Sequence, residues 1–348
     1  MTKILVTGGN GFIGKRLVSA LVALGGDVRV LDLQPPLRAL PKVEYVRGSV
    51  LDRDLVHGAM DGVQHVYHLA GLPGMWMPSK DDFHAVNCGG TEIVVETARK
   101  RGVERFLHCS TESILFRAVH VDDPADDAML PDDMPGPYTR SKMLAERFAM
   151  QAAASGYPVV IGSPTMPIGA HDHNVTPPTA MLRHFLDRRL QLYLDFVVNL
   201  VDVRDVAAGL ILAMERGKSG HRYVLGGESI RLKQILQLMA QISGRRSRRI
   251  PVPGRVAEMA GATLEFFADR VTGRPPNGTA EGVRIALRAR HLSIEKAQCE
   301  LGYAPGPIEP ILRETIAHLL GTGQNRSELG TMPSPLARLS NTTRWFGF

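Results

Sequence analysis

Tyr138 and Lys142 stand four residues apart in YTRSK, so on a helix they share one face. An ammonium group one turn from a phenol favours the phenolate. It would draw the tyrosine pKa from about 10 towards neutrality and make the side chain a usable proton donor and acceptor. Chemistry of this kind wants a second hydroxyl on the reacting oxygen, and Thr111 in CSTES, just after an apolar strand pattern, is placed to supply it. Alone, YxxxK also describes an ordinary surface helix pair, so its meaning depends on what surrounds it.

What surrounds it is a glycine-rich turn. TGGNGFIG follows the first apolar run and puts Gly8, Gly11 and Gly14 at the mouth of a helix. One glycine permits a tight turn, one lets backbone approach a pyrophosphate, and one lets helix and strand pack closely, while the helix N-terminus offers free N–H groups to the anion. Asp32 comes 18 residues after Gly14, near the spacing of an acid that accepts hydrogen bonds from an adenosine ribose. A carboxylate there repels a 2′-phosphate, so NAD is expected over NADP; Arg29 and Arg38 nearby keep NADP as the second choice.

These groups need a scaffold, and the apolar pattern supplies one. Apolar runs at Lys3 to Thr7, Val28 to Leu31, Val43 to Val46, Val63 to Leu69, Arg105 to Cys109 and Pro158 to Gly162 alternate with helical stretches, among them Gly90 to Arg101 and Tyr138 to Ala153. Such alternation predicts βαβ units and a parallel sheet covered on both faces. Beyond Pro164 prolines break the order, and helices are expected at about Thr179 to Arg188, Val203 to Arg216, Leu232 to Ile242, Arg255 to Val271 and Ile308 to Leu320. The organisation expected is a dinucleotide domain with the catalytic helix over 1–165 and a smaller, mostly helical substrate lobe over 166–320, part of which can return to the sheet. A flexible or docking tail is expected over 321–348.

Composition narrows the class. With 348 residues, 44% hydrophobic, 22% charged and a net charge of +6, the chain can bury a full core and is neither disordered nor collagenous. Cys88, Cys109 and Cys299 lie far apart without CxxC spacing, which argues against a zinc site or a disulfide framework. The N-terminus has no secretory pattern and no uncharged apolar run is long enough for a membrane span. A cytoplasmic protein is expected, at most peripheral to a membrane.

On these residues the chain resembles the extended short-chain dehydrogenase/reductases, the group of nucleotide-sugar epimerases and dehydratases, dihydroflavonol reductases and 3β-hydroxysteroid dehydrogenases. TGGNGFIG, Asp32 in VLDL, HLAG ending at Gly71, Asn87 in NCGGT, the CST strand end, YTRSK, SPTMPIG and VDVRDVAAG carry the likeness over most of residues 1–320. PTMPIG, VNLVDVRDVAAG and YVLGGESIRLKQIL look most like hopanoid-associated sugar epimerases. The resemblance implies an α/β fold, a Rossmann-type doubly wound parallel sheet with the smaller lobe appended, an NAD cofactor and a homodimer. It also implies that Tyr138 is the acid/base, that Lys142 binds the nicotinamide ribose and tunes Tyr138, and that Thr111 orients the substrate oxygen. Gly8, Asn10, Gly11, Phe12, Ile13, Gly14, Leu69, Ala70, Gly71 and Pro164 would line the cofactor path, with Asn87 organising the turn beneath it. Ser49 and Val50 would meet the adenine, although Ser49 replaces the usual Asp.

Two departures bear on the substrate. Met166 stands where nucleotide-sugar enzymes often carry Asn, and Val198 where they commonly carry Arg. A diphosphate without an Arg partner loses bidentate, charge-assisted bonds. Met75, Trp76 and Met77 in LPGMWMP offer instead an apolar lining, unless they simply pack under the second lobe. With Met75, Trp76 and Met166 as substrate residues, the expected activity is NAD-dependent hydride transfer at an alcohol or ketone carbon of a hydrophobic, isoprenoid- or steroid-like small molecule. A redox-neutral sugar epimerase or dehydratase is the alternative, and a non-catalytic sensor the third reading.

Other signals are weaker. RRSRR at 245–249 lacks interleaved aromatics and reads as a solvated loop rather than a nucleic-acid site. His171, Asp172 and His173 sit on a proline-flanked loop, and no metal is expected. The stripe Val256, Met259, Ala260, Leu264, Phe267 and Ala268 fits packing in the lobe or a dimer first and a membrane surface second.

Overall fold

Alternating burial along the first apolar run sets the architecture. In strand β1 (Lys3–Thr7) Ile4 and Val6 join one core while Leu5 joins the other, because successive side chains of a strand leave opposite faces. The computed structural model describes residues 2–115, 130–187, 190–245 and 247–321. Following β1 are β2 (Asp27–Asp32), β3 (Val43–Arg47), β4 (His65–His68), β5 (Arg105–Cys109) and β6 (Val159–Pro164). Then come β7 (Met166–Ile168), β8 (Leu190–Tyr193), β9 (Val197–Asp202), β10 (Arg222–Leu225), β11 (Glu228–Arg231) and β12 (Arg248–Pro251).

The main sheet has the order β10-β6-β5-β4-β1-β2-β3, and all its pairs are parallel. Strand order reverses at β1, where β2 lies on one side and β4 on the other. In open α/β sheets that crevice is where ligands bind, beyond the carboxyl ends of the strands. One face is covered by α1 (Phe12–Ala23). The other is covered by α2 (Arg53–Ala59), by α3 (Asp81–Phe83) continuing through a wide turn at His84–Gly89 into α4 (Gly90–Lys100), and by α5 (Pro137–Ala154). Fully buried leucines such as Leu5, Leu17 and Leu31 each stabilise the fold by about 1.5–3 kcal/mol.

Past Thr165 the chain leaves this sheet, visits the second lobe and comes back. β7, with α6 (Pro177–Asp187), β8 and β9, belongs to the lobe, but α7 (Val203–Arg216) packs on α1 and β10 adds an edge strand beside β6. The lobe is then completed by β11, α8 (Leu232–Ser243), β12, α9 (Gly254–Phe267), α10 (Ala280–Arg288) and α11 (Ile308–Leu319). It holds two small sheets that apolar periodicity does not mark: β11-β9-β7 and β12-β8. Their strands are 3–6 residues long, too short for a period-2 signal to stand out. Val198 lies fully buried among Ile168, Leu182 and Ile235 in the lobe core.

Among the described residues no helix is long and apolar enough to cross a membrane. The tail from 322 to 348 lies outside the described residues.

Candidate active site

The glycine turn at the end of β1 is shaped by contacts that exclude side chains. Gly8 has φ +70°, and a Cβ there would sit 2.7 Å from the Ala70 nitrogen at the end of β4. A Cβ on Gly14 would meet the Gly8 carbonyl oxygen at 2.2 Å. The turn is tied by Gly8 N–H to the Leu31 carbonyl (2.9 Å) and by Gly11 N–H to the Gly8 carbonyl (3.1 Å). α1 begins at the Gly11 cap with no side chain capping it, so its first N–H groups and positive dipole end face the crevice. Asp32, at the end of β2, accepts from Asn10 N–H (2.9 Å) and Gln34 N–H (3.0 Å). Each oxygen keeps a lone pair for a ribose hydroxyl. Arg29, one of two cations that left NADP open, is taken up elsewhere. It is buried, donates to the Ala59 carbonyl at 2.7 Å and pairs with Glu44 at 2.8 Å.

A cavity of about 840 Å³ runs from this turn into the second lobe. Its walls include Gly8, Asn10, Gly11, Phe12, Ile13 and Gly14 of the turn, then Asp32, Ser49 and Val50. Leu69, Ala70, Gly71 and Pro164 line it further on, and Thr111, Tyr138 and Lys142 stand midway. Met75 and Met166 are at the lobe end, joined by Phe196 and Ile285, which sequence reasoning did not single out. Three expected residues, Trp76, Met77 and Asn87, are not on the walls. Trp76 is buried and turned to the lobe, its indole N–H donating to Asp269 Oδ1 at 2.7 Å beneath the Lys80 ammonium. A buried indole takes the nearest acceptor, and here that acceptor faces away from the cavity. Asn87 lies off the walls: its Oδ1 accepts from Leu72 N–H (2.7 Å) and its amide donates to Ser141 Oγ (2.9 Å).

Asn87 belongs to a buried relay that sets α5 against the sheet. Ser141 Oγ donates to the Tyr138 carbonyl (2.7 Å), and Thr91 Oγ1 donates to the Asn87 carbonyl (2.6 Å). Since the Thr91 proton is committed there, His68 Nε2 must donate to Thr91 Oγ1 (3.0 Å), and Nδ1 accepts from Thr7 Oγ1 (2.7 Å). Burial pulls the His68 pKa down to about 3, with the Lys142 charge adding to it. The imidazole is therefore a neutral structural link and not a proton carrier at neutral pH.

Tyr138 and Lys142 do share a helix face, yet their electrostatics differ from the expectation. Lys142 Nζ donates to the Cys109 carbonyl at 2.9 Å, and burial lowers its pKa. Burial pushes the Tyr138 phenol up to about 12, while its hydrogen bond with Thr111 works in the opposite direction. The predicted fall towards neutrality is corrected: desolvation of the phenolate outweighs any help from an ammonium engaged elsewhere. Cys109 is also raised, to about 11, mainly by burial, which makes it no thiolate.

Two carboxyl groups complete the site without any motif announcing them. Glu112 follows Thr111, lines the cavity, and is pushed by burial up to about 8, so it is mostly protonated at neutral pH. Glu281, 2% exposed at the start of α10, accepts from Thr139 N–H (2.7 Å), Thr139 Oγ1 (2.7 Å) and Tyr138 N–H (3.2 Å). A lobe carboxylate thus caps α5, where negative charge meets the dipole's positive end. It crowds Gly136, whose Cβ would come within 2.5 Å of the Glu281 carboxyl carbon. Glu281→Ala is expected to cost about 2–3 kcal/mol in urea unfolding by stranding three buried donors, and Glu281→Gln less, because one acceptor remains. Equal losses from the two variants would instead place the effect in packing.

Among the described residues no group of three His, Cys, Asp or Glu side chains could hold a metal ion. Residues 4–226 match the model of a family described as NAD dependent epimerase/dehydratase. The chain is 33% identical over 326 residues to a putative dihydroflavonol 4-reductase of Synechocystis sp., covering 89% of this chain and 92% of that protein. It is 29% identical over 318 residues to the 4-hydroxy-2-methyl-3-oxo-4-farnesyl-3,4-dihydroquinoline-1-oxide ketoreductase of Stigmatella aurantiaca, covering 87% and 92%. The crystal structure of the UDP-glucose 4-epimerase of Thermus thermophilus with NAD superposes with a TM-score of 0.70 at 22% identity, covering 92% of this chain and 99% of that one. At that identity the likeness speaks for the fold.

Proposed function

Because the chain belongs to the NAD-dependent epimerase/dehydratase family, within the extended short-chain dehydrogenases/reductases, we propose that it reduces an apolar ketone, or oxidises the matching alcohol, with net turnover of NAD. The single observation that carries this reading is the lobe end of the cavity. Met75, Met166, Phe196 and Ile285 line it, and no arginine does among the described residues. Val198, at the position of the expected Arg, is sealed in the lobe core. A sugar-nucleotide diphosphate would find no guanidinium fork there, whereas an isoprenoid- or steroid-like body would bury apolar surface. The Stigmatella ketoreductase, named for a farnesylated substrate, supports the same class.

The residues fit NAD. The close backbone packing that Gly8 and Gly14 permit keeps the turn tight against β4, and the uncapped start of α1 offers the N–H groups of Phe12 and Ile13 to a pyrophosphate. Asp32 would hold the adenosine ribose and Lys142 the nicotinamide ribose, with Ser49 and Val50 at the adenine and Pro164 and Ala70 along the nicotinamide. When bound, the nicotinamide would supply the hydride as NADH for ketone reduction, or accept it as NAD for alcohol oxidation. The chain's own part is to orient and protonate: Thr111 and Tyr138 hydrogen-bond the substrate oxygen, and a phenol that keeps its proton at neutral pH is suited to giving it to a carbonyl oxygen. We also assign a homodimer working in the cytoplasm, which light scattering of the purified protein would check.

Glu112 favours a second reading. A protonatable carboxyl beside Thr111 is suited to moving a proton at the carbon next to a ketone, the step that a redox-neutral dehydratase, or an epimerase inverting that neighbouring carbon, requires. Incubation with NADH and a set of cyclic and isoprenoid ketones, and in parallel with NAD and UDP-glucose, separates the two. The expected result is NADH absorbance lost in proportion to ketone consumed. Conversion of the sugar nucleotide with no net change in NADH would overturn the first reading in favour of the second.

A further inference from the structure

α9 is amphipathic the wrong way round for a helix on a water-soluble surface. Its outward half carries Val256, Met259, Leu264, Phe266 and Phe267, and Val271 continues the stripe just beyond its end. Met259 is 71% and Val271 69% exposed. Its inward side is Gly261, packed so closely that a Cβ would lie 2.9 Å from the Thr279 carbonyl oxygen. The acids of this stretch, meanwhile, are tied to the protein. Glu258 pairs with Arg284 (2.7 Å), Glu265 with Lys80 (3.2 Å), and Asp269 with Lys80 (3.3 Å) and the Trp76 indole. A soluble helix buries its apolar stripe; this one leaves its stripe in water, a contiguous apolar face of the kind that marks an interaction site.

The charge at its edges says what covers it. Arg255, Arg270 and Arg274 are exposed, and their guanidinium groups make no hydrogen bond or ion pair among the described residues. So is Arg248 of β12, the strand that leads into α9. The three acids share two inward cations, Arg284 and Lys80, so the four unpaired arginines leave the charge beside the apolar face net positive. An apolar helix face flanked by unpaired arginines is complementary to an anionic lipid surface, where apolar groups reach the acyl boundary and each cation meets a negative potential. A second copy of this chain would bring the same arginines against these and repel.

We propose that α9 docks the protein on anionic bilayers, lying in the interface without crossing it. The location gives docking a purpose: α9 packs on α10, and α10 contributes Ile285 and Ala286 to the lobe end of the cavity. The helix that meets lipid therefore backs directly on the helix that lines the proposed apolar substrate site, although the docking argument stands without that reading.

Flotation with vesicles tests it, using the full chain. Phosphatidylcholine vesicles containing about one third phosphatidylglycerol should bind the protein roughly tenfold more than phosphatidylcholine alone, and added salt should remove most of the difference. The double variant F266S/F267S should lose roughly tenfold in binding with NAD affinity and thermal midpoint unchanged. R255E/R270E, which leaves the apolar face intact, should lose the preference for anionic lipid. No flotation with either lipid, or equal binding to both by the wild type, would sink the proposal. So would light scattering in which F266S/F267S turns a wild-type dimer into a monomer, because the face would then belong to a second copy.

Discussion

Tyr138→Phe is expected to lower kcat by roughly 10²–10⁴-fold, the usual contribution of a positioned general acid, while leaving NAD affinity and secondary structure as they are. Only the phenolic oxygen is removed. The ring keeps its edge-on contact with Phe83, at 6.0 Å between centroids. The backbone of the helix start stays held by Glu281 and by Ser141. What disappears is the proton that the substrate oxygen would receive beside Thr111. Because burial puts the phenol at about 12, the group is protonated across the whole range from neutral pH to mild base. Ketone reduction should accordingly show no loss of rate from phenol ionisation between about pH 7 and 9. Steady-state kinetics of both proteins with a turned-over ketone, alongside circular dichroism and NAD titration, would check this. Retention of full activity by the phenylalanine variant would remove Tyr138 from the chemistry.

Gly14→Ala should have the largest effect on cofactor binding of any single-methyl change in the glycine turn. The added Cβ would lie 2.2 Å from the Gly8 carbonyl oxygen and 2.8 Å from Gly9 Cα. Both are backbone atoms at the β1 end and cannot swing aside as a flexible side chain could. Either α1 tilts away from β1 or the turn opens, and each displaces the N–H groups meant for the pyrophosphate. The expected outcome is a loss of NAD affinity of roughly tenfold or more, with about 1–3 kcal/mol of stability lost to overpacking. Gly11→Ala meets the Gly8 oxygen only at 3.2 Å and should be milder. Gly58→Ala in α2 meets nothing within 4 Å and serves as the neutral control. Calorimetric titration with NAD and thermal unfolding of the three variants give the order directly; equal losses at Gly14 and Gly58 would refute the steric account.

How much of this is legible in the residue order depends on how far apart in the chain the partners lie. The β1 turn, Asp32 and the α1 entry are written close together near the N-terminus, and their geometry follows local rules: glycine where a carbonyl presses close, an acid at the next strand end. Tyr138 and Lys142 share a face for the same local reason, one helical turn. The pairing of β10 with β6 and the short lobe strands are not legible, since contact with a distant neighbour, not periodicity, makes a four-residue run a strand. Glu281 shows the limit most clearly. It caps a helix 142 residues earlier in the chain, and nothing around it in TAEG distinguishes it from a solvated acid.

Short-range stereochemistry governs the dinucleotide turn, the alternation of strands and helices, and the identity of the hydroxyl, phenol and ammonium groups, so all of these can be read from the order of residues. Folding in three dimensions was needed to show that Lys142 faces the Cys109 carbonyl, that Trp76 turns to Asp269 and not to the cavity, and that the phenol is raised and not lowered. Those outcomes turn on desolvation and on acceptors brought in from remote segments. Water is excluded, and distant partners meet, only once the two lobes have packed around the site.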